Sequence, residues 1–140
     1  MFSWLCMYVL ILSISIDTVI NYLKLFFIDT VPVTSVTLLP EQPITVIAEQ
    51  QIDLNCTTSA CNPSANILWF MSSKNITSHS SSKITPDGSL FRTVSSLNFT
   101  IKKKDDQKQV FCKASNIPGY DVTSSNQTLH VLCKLTDLEF

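Results

Sequence analysis

Glycine is nearly missing, with 2 in 140 residues. Glycine-rich phosphate loops therefore have no material, and neither G-x-G-x-x-G nor G-x-x-x-x-G-K occurs. Charge is scarce too, at 15% of residues against a usual share of about 25%. With 45% hydrophobic residues, the chain is not an intrinsically disordered polyelectrolyte. Ten basic and eleven acidic side chains leave a net charge of −1, which argues against a basic nucleic-acid binder. Histidine is limited to His79 and His130. No C-x-x-C accompanies them and neither has metal-ligand spacing, so no metal and no cofactor are expected. G-x-S-x-G and any acid pair at a recognisable site are also lacking, so no enzyme is expected. A chain of 140 residues has room for one domain, or one domain and a tail.

What is present begins with an apolar run. Residues 2–16 read FSWLCMYVLILSISI without a charge. That length suits the apolar segment of a secretory signal and falls short of the ~20 residues of a spanning helix. Ser13 and Ser15 have the small-residue spacing read by signal peptidase, so cleavage after Ser15 is expected, although no Lys or Arg precedes the run. A second apolar stretch, VINYLKLFFI, covers residues 19–28. An uncleaved anchor over residues 2–28 would carry Asp17 and Lys24 into the membrane, at about 2.5–3.5 kcal/mol per charge on the mildest scale. A leader over residues 1–30 is therefore preferred to an anchor, and a buried helix of the folded domain is the third reading. Without those thirty residues the chain has nine basic and nine acidic groups.

From Val33 onward the pattern is strand after strand. Val, Ile, Leu and Phe alternate with Ser and Thr at period 2. Ser35–Leu39 and Ile44–Ile47 read as short edge strands split by Pro40 and Pro43, since proline cannot donate to a ladder. Ile52, Leu54 and Cys56 share one face of the next strand. Ile67 to Met71 surrounds Trp69. Leu97, Phe99 and Ile101 alternate, as do Val110, Cys112 and Ala114, and the last strand runs through Leu129 and Val131. Asn62-Pro63, Pro86-Asp87-Gly88, Asp105-Asp106 and Pro118-Gly119 supply turn chemistry between the runs. Ser78–Ser82 reads as a serine-rich loop. Seven or so short strands at this spacing mean an all-β sandwich or barrel.

Cys56 is followed by Trp69 thirteen residues later and by Cys112 fifty-six residues later. The stretch Cys56-Thr57-Thr58-Ser59 through Pro63 to Ile67-Leu68-Trp69-Phe70 resembles the B–C region of nephrin-like and hemicentin-like adhesion domains. Ser95 to Ile101 resembles their strand E, and Asp106 to Cys112 followed by Ala114-Ser115-Asn116 resembles their strand F. On these motifs residues 33–132 resemble the immunoglobulin superfamily, in its C2-type sets. The resemblance implies a two-sheet Greek-key sandwich held by a Cys56–Cys112 bridge, with Trp69, Leu54, Leu97, Phe99 and Val110 in the core. One departure is Val110, where the family usually has the tyrosine that ties the E–F corner. That corner is expected to rest on packing alone. The division expected is a leader over 1–30, an Ig-like domain over 31–133 and a tail over 134–140.

Cys6 falls in the leader. Cys61 and Cys133 are expected at opposite poles, too far apart to bridge within one chain, with Cys61 a half-buried loop thiol or paired to another chain. Asn55, Asn75, Asn98 and Asn126 each begin an N-x-[ST] sequon. Asn55 and Asn98 have the opposite parity from Cys56 and Phe99 and should face outward as a glycan requires. Glycans there would shield strands B and E and leave the C–F–G face freer. Lys102, Lys103, Lys104, Lys108 and Lys113 read first as a solvated turn and second as a patch for an acidic glycan or protein.

The resemblance implies an extracellular module, secreted or on the cell surface, that recognises a protein partner, homophilic or heterophilic, in adhesion or receptor assembly. A soluble immune-recognition or decoy binder, and a fragment of a longer multi-Ig adhesion protein, are the other readings. Nucleic acid is not an expected partner, and a membrane is expected to be met only through the leader or a further C-terminal part. Ile117, Pro118 and Tyr120 in the F–G loop are the candidate contacts.

Overall fold

The computed structural model describes residues 15–26, 29–41 and 43–135. The apolar run before Ser15, Cys6 and residues 136–140 lie outside them, as does most of the expected tail. Helix α1 (Ile16–Phe26) comes first. Its Ile16, Val19, Ile20 and Tyr22 are between 43% and 77% exposed, so these positions do not fit the reading of a helix buried in the core. No described helix is long and apolar enough to cross a membrane.

Ten strands follow among the described residues. They are β1 (Val36–Leu39), β2 (Ile44–Ile47), β3 (Gln51–Thr58), β4 (Asn66–Met71), β5 (Lys74–Asn75), β6 (Ser80–Asp87), β7 (Leu90–Thr100), β8 (Gln109–Ile117), β9 (Tyr120–Thr123) and β10 (Gln127–Leu132). One sheet has the order β1-β3-β7-β6. The other has the order β2-β10-β8-β4-β5, with β9 also pairing β8. The strands called B and E are thus β3 and β7. C, F and G are β4, β8 and the broken strand β9–β10. The chain is an all-β immunoglobulin-like sandwich.

Alternation produces this layering. In β3 the residues Ile52, Leu54, Cys56 and Thr58 are buried while Gln51, Asp53 and Asn55 are exposed. A strand with one apolar face must cover it, and the facing sheet does so with Ile67, Trp69, Val110, Cys112 and Leu129. The two edge strands read from the prolines are present, but they belong to different sheets. β1 pairs antiparallel with β3, the Leu39-Pro40 bond is cis, and β2 then pairs parallel with β10. The serine-rich loop is corrected in part: Ser80–Ser82 open β6 and pair with β7 from Leu97 to Ser95. Both glycines sit in turns at positive φ, Gly88 at 64° and Gly119 at 78°. Glycine being scarce, Glu49, Ser72 and Gln107 take the same left-handed region, which is uncommon for a residue with a Cβ.

Registers fix where the chain enters and leaves. Val31 bridges to Asn62 and Val33 is fully buried, at the pole where β3 ends and β4 begins. β10 runs to the opposite pole, where the Leu132 carbonyl accepts the Ala48 N–H.

Candidate recognition surface

The scaffold is joined across its middle by two links side by side. Cys56 and Cys112 form a disulfide with Cα atoms 6.6 Å apart. Trp69 is cross-strand from Cys112, and Ser95 is cross-strand from Cys56. The buried indole Nε1–H of Trp69 donates to Ser95 Oγ at 2.9 Å. One covalent bond and one hydrogen bond therefore tie the same two strand pairs together. Leu54, Leu97 and Val110 are buried at 1% exposure or less around them, and Phe99 at 9%.

Inward placement of these anchors sets what faces out. Residues next to Trp69 and Cys112 point to the other side of the sheet. Phe70 and Phe111 are paired in register and stack there with ring centroids 5.3 Å apart. Both are half-buried. Leu68 pairs with Lys113 on the same face, and the Lys113 ammonium bridges to the Asp121 carboxylate of β9. The hydrogen bond from Lys113 holds the Asp121 carboxyl below the usual carboxylate range. The face is thus an aromatic and aliphatic centre with a charged margin. In the sequence, the parity of Phe70 and Phe111 beside Trp69 and Cys112 was the available signal for them.

The three F–G residues singled out lie at the end of this face. Ile117 is half-buried, Pro118 is exposed and Tyr120 is 44% exposed. Asn116 does unexpected work beside them. Its Oδ1 accepts the Val33 N–H at 2.9 Å, and its Nδ2 donates to the carbonyls of Val31 and Pro63. One side chain therefore pins the entering chain to the B–C loop.

All four sequon asparagines are exposed. They are divided between the two outer faces of the sandwich. Asn55 and Asn98 lie on the β3–β7 face, but Asn75 is cross-strand from Phe70 and Asn126 Nδ2 donates to Gln109 Oε1. Two sequons thus border the C–F–G face. Cys61 and Cys133 are both free. Cys61 is corrected from half-buried to fully buried at 0% exposure, because its backbone bridges Phe91. Burial pushes its thiol pKa up, against a partial offset from a backbone hydrogen bond at Ala65. Cys133 follows β10 at the other pole and is exposed.

The E–F corner does not rest on packing alone. Val110 is buried where the tyrosine would stand, and Asp105 replaces its tie. One Asp105 oxygen accepts the Lys102 N–H at 3.0 Å, and the other accepts the Lys108 ammonium at 2.7 Å. Burial alone would raise this carboxyl, but those hydrogen bonds and the charges of Lys108 and Lys104 outweigh it and hold it below the usual range. Asp106, which matched the family position, instead accepts the Val131 N–H. A carboxyl lowered on folding stabilises fully above its unfolded value near ~3.9, and that contribution fades as pH falls through the lower folded value. Asp105→Asn is therefore expected to lose about 1–2 kcal/mol at pH 7. The gap to the wild type should close in urea melts as pH is taken from 5 towards 2, and a gap that stays constant would reject this account.

Comparison with known proteins places this arrangement. The family model of the CD80-like C2-set immunoglobulin domain matches residues 34–117. Human cell adhesion molecule 4 is 28% identical over 103 residues, covering 70% of this chain and 26% of that protein. The rat and mouse proteins of that name give the same identity and coverage. The chain thus spans about a quarter of the length of these relatives. Among solved structures, Rst D1-D2 superposes with a TM-score of 0.67 at 19% identity, covering 74% of this chain and 51% of that one. The full ectodomain of mouse nectin-like molecule 4 (Ig1–Ig3) gives 0.61 at 21%, covering 74% and 35%. The structural likenesses speak for the fold alone; the family match covers more than half of the sequence, and this chain belongs to the CD80-like C2-set immunoglobulin domain family.

Proposed function

We propose that this domain is an extracellular protein-recognition module, acting in adhesion or receptor assembly, and that it meets its partner through the outer face of β4, β8 and β9–β10. The observation that carries the reading is the Phe70–Phe111 stack. Aromatic side chains on a sheet face with a charged margin are the usual make-up of an interface centre and rim. The Lys113–Asp121 pair supplies the margin, and Tyr120 and Pro118 extend the surface past the end of the sheet. The Cys56–Cys112 bridge suits an oxidising compartment, which agrees with residues 1–30 acting as a secretory leader. The relatives named cell adhesion molecule 4 support a role in adhesion.

The test is adhesion itself. Beads coated with the full chain are mixed with one another and with cells, and clustering is scored. Phe111→Asp places a charge at the centre of the face and is expected to weaken adhesion about tenfold or more, as loss of an interface anchor does. Ser96→Asp, on the opposite sheet face, should leave it intact. Circular dichroism melts check that both variants are folded. Adhesion that survives Phe111→Asp, or falls equally with Ser96→Asp, rejects this face.

A further inference from the structure

The sandwich has a second feature, independent of the C–F–G face. β6 pairs with β7 only as far as Leu97, so the last residues of β7 have no strand partner on that side. A cavity of about 630 Å³ lies there, within the usual range for small-molecule sites of roughly 300–1,000 Å³. Its lining is of three kinds. Met71, Ile76 and Phe99 form an apolar floor, and Gln51, His79, Asn98 and Thr100 add amide, imidazole and hydroxyl groups. Lys74, Lys102, Lys104 and Lys108 contribute ammonium groups, against a single carboxylate, Asp105. That carboxylate is already taken by Lys108. Among the described residues Lys74, Lys102 and Lys104 form no salt bridge.

We propose that this cavity binds a segment of a sulfated saccharide chain. A bare anion would engage the lysines alone and make no use of the floor. A sugar chain lying over this edge uses all three parts: one ring's C–H face meets Ile76 and Phe99 on the inner side of β7, the next ring's hydroxyls meet Gln51 and Thr100 on its outer side, and the sulfates meet the lysines. An excess of cations over carboxylates beside a low-dielectric wall concentrates anions at the mouth. Several cations along one rim match a chain with repeated charges better than a single group.

The full chain, secreted and with N-glycans trimmed so that none stands at Asn75 or Asn98, is titrated with a heparin-derived tetrasaccharide. Its desulfated counterpart, inorganic sulfate and phosphatidylserine vesicles serve as separate arms. The sulfated tetrasaccharide should bind, and the K102Q/K104Q pair should weaken it about tenfold or more. The K83Q/K134Q pair removes the same charge elsewhere and should change binding less than about twofold. Equal losses in the two pairs would show unspecific charge attraction and overturn the proposal. So would inorganic sulfate binding as tightly as the saccharide, retention of the desulfated sugar at equal strength, or binding of vesicles but not saccharide.

Discussion

Replacing Cys56 and Cys112 together with alanine is expected to lower the stability of the domain by about 4 kcal/mol. The bridge spans 56 residues of sequence, and the chain-entropy model assigns roughly that much to a loop of this length. Domains of this size hold a total of about 5–15 kcal/mol, so the bridge accounts for roughly a quarter or more of it. Both cysteines are at 0% exposure, and the alanines also leave two small voids in the core. Urea denaturation of wild type and variant under non-reducing conditions measures the difference. A loss below about 1 kcal/mol would mean that the unfolded chain is already compact enough to need no such constraint.

Trp69→Ala is expected to be of similar size, about 3–5 kcal/mol. Among the described residues the indole is the largest fully buried side chain, and removing it opens a void beside the disulfide. It also removes the hydrogen bond to Ser95 Oγ, the second tie between the sheets. Ser95→Ala separates the two contributions. It keeps the indole packed but leaves a buried N–H without its partner, for which about 1–3 kcal/mol is expected. Thermal melts should therefore show a larger loss for Trp69→Ala than for Ser95→Ala. Equal losses would place the whole effect in the polar contact and refute the packing account.

The sandwich was readable where one face of a strand is apolar and the other is not. Cys56, Trp69 and Cys112 were identified as strand residues because their neighbours alternate around them. β6 was not, because an exposed edge strand of serine and threonine has no apolar face to reveal, and β5 is only two residues long. Phe70 and Phe111 were passed over because they adjoin the strongest anchors in the chain, though parity alone assigns them to the surface. Asn116 could not be read, since its partners Val33 and Val31 lie 83 and 85 residues away. The corner failed differently. The family pattern points to Asp106, but the local capping turn from Lys102 places Asp105 inward. The cavity draws on residues from Gln51 to Lys108, which are brought together only by the fold.

The parallel pairing of β2 with β10 has a mechanical consequence. The chain enters at one pole and leaves at the other, and both strands run in the same direction between them. Tension between Val33 and Leu132 pulls β2 back towards the entry and β10 forward towards the exit. The hydrogen bonds from Ile44–Leu129 to Ile47–Leu132 then lie across the pull and are strained together rather than opened one by one. β1 on β3 is loaded in the same sense. Should both give way, the disulfide still closes the chain from Cys56 to Cys112, so the residues between them cannot be drawn out and only the segments outside the bridge extend. Such a module yields abruptly rather than strand by strand.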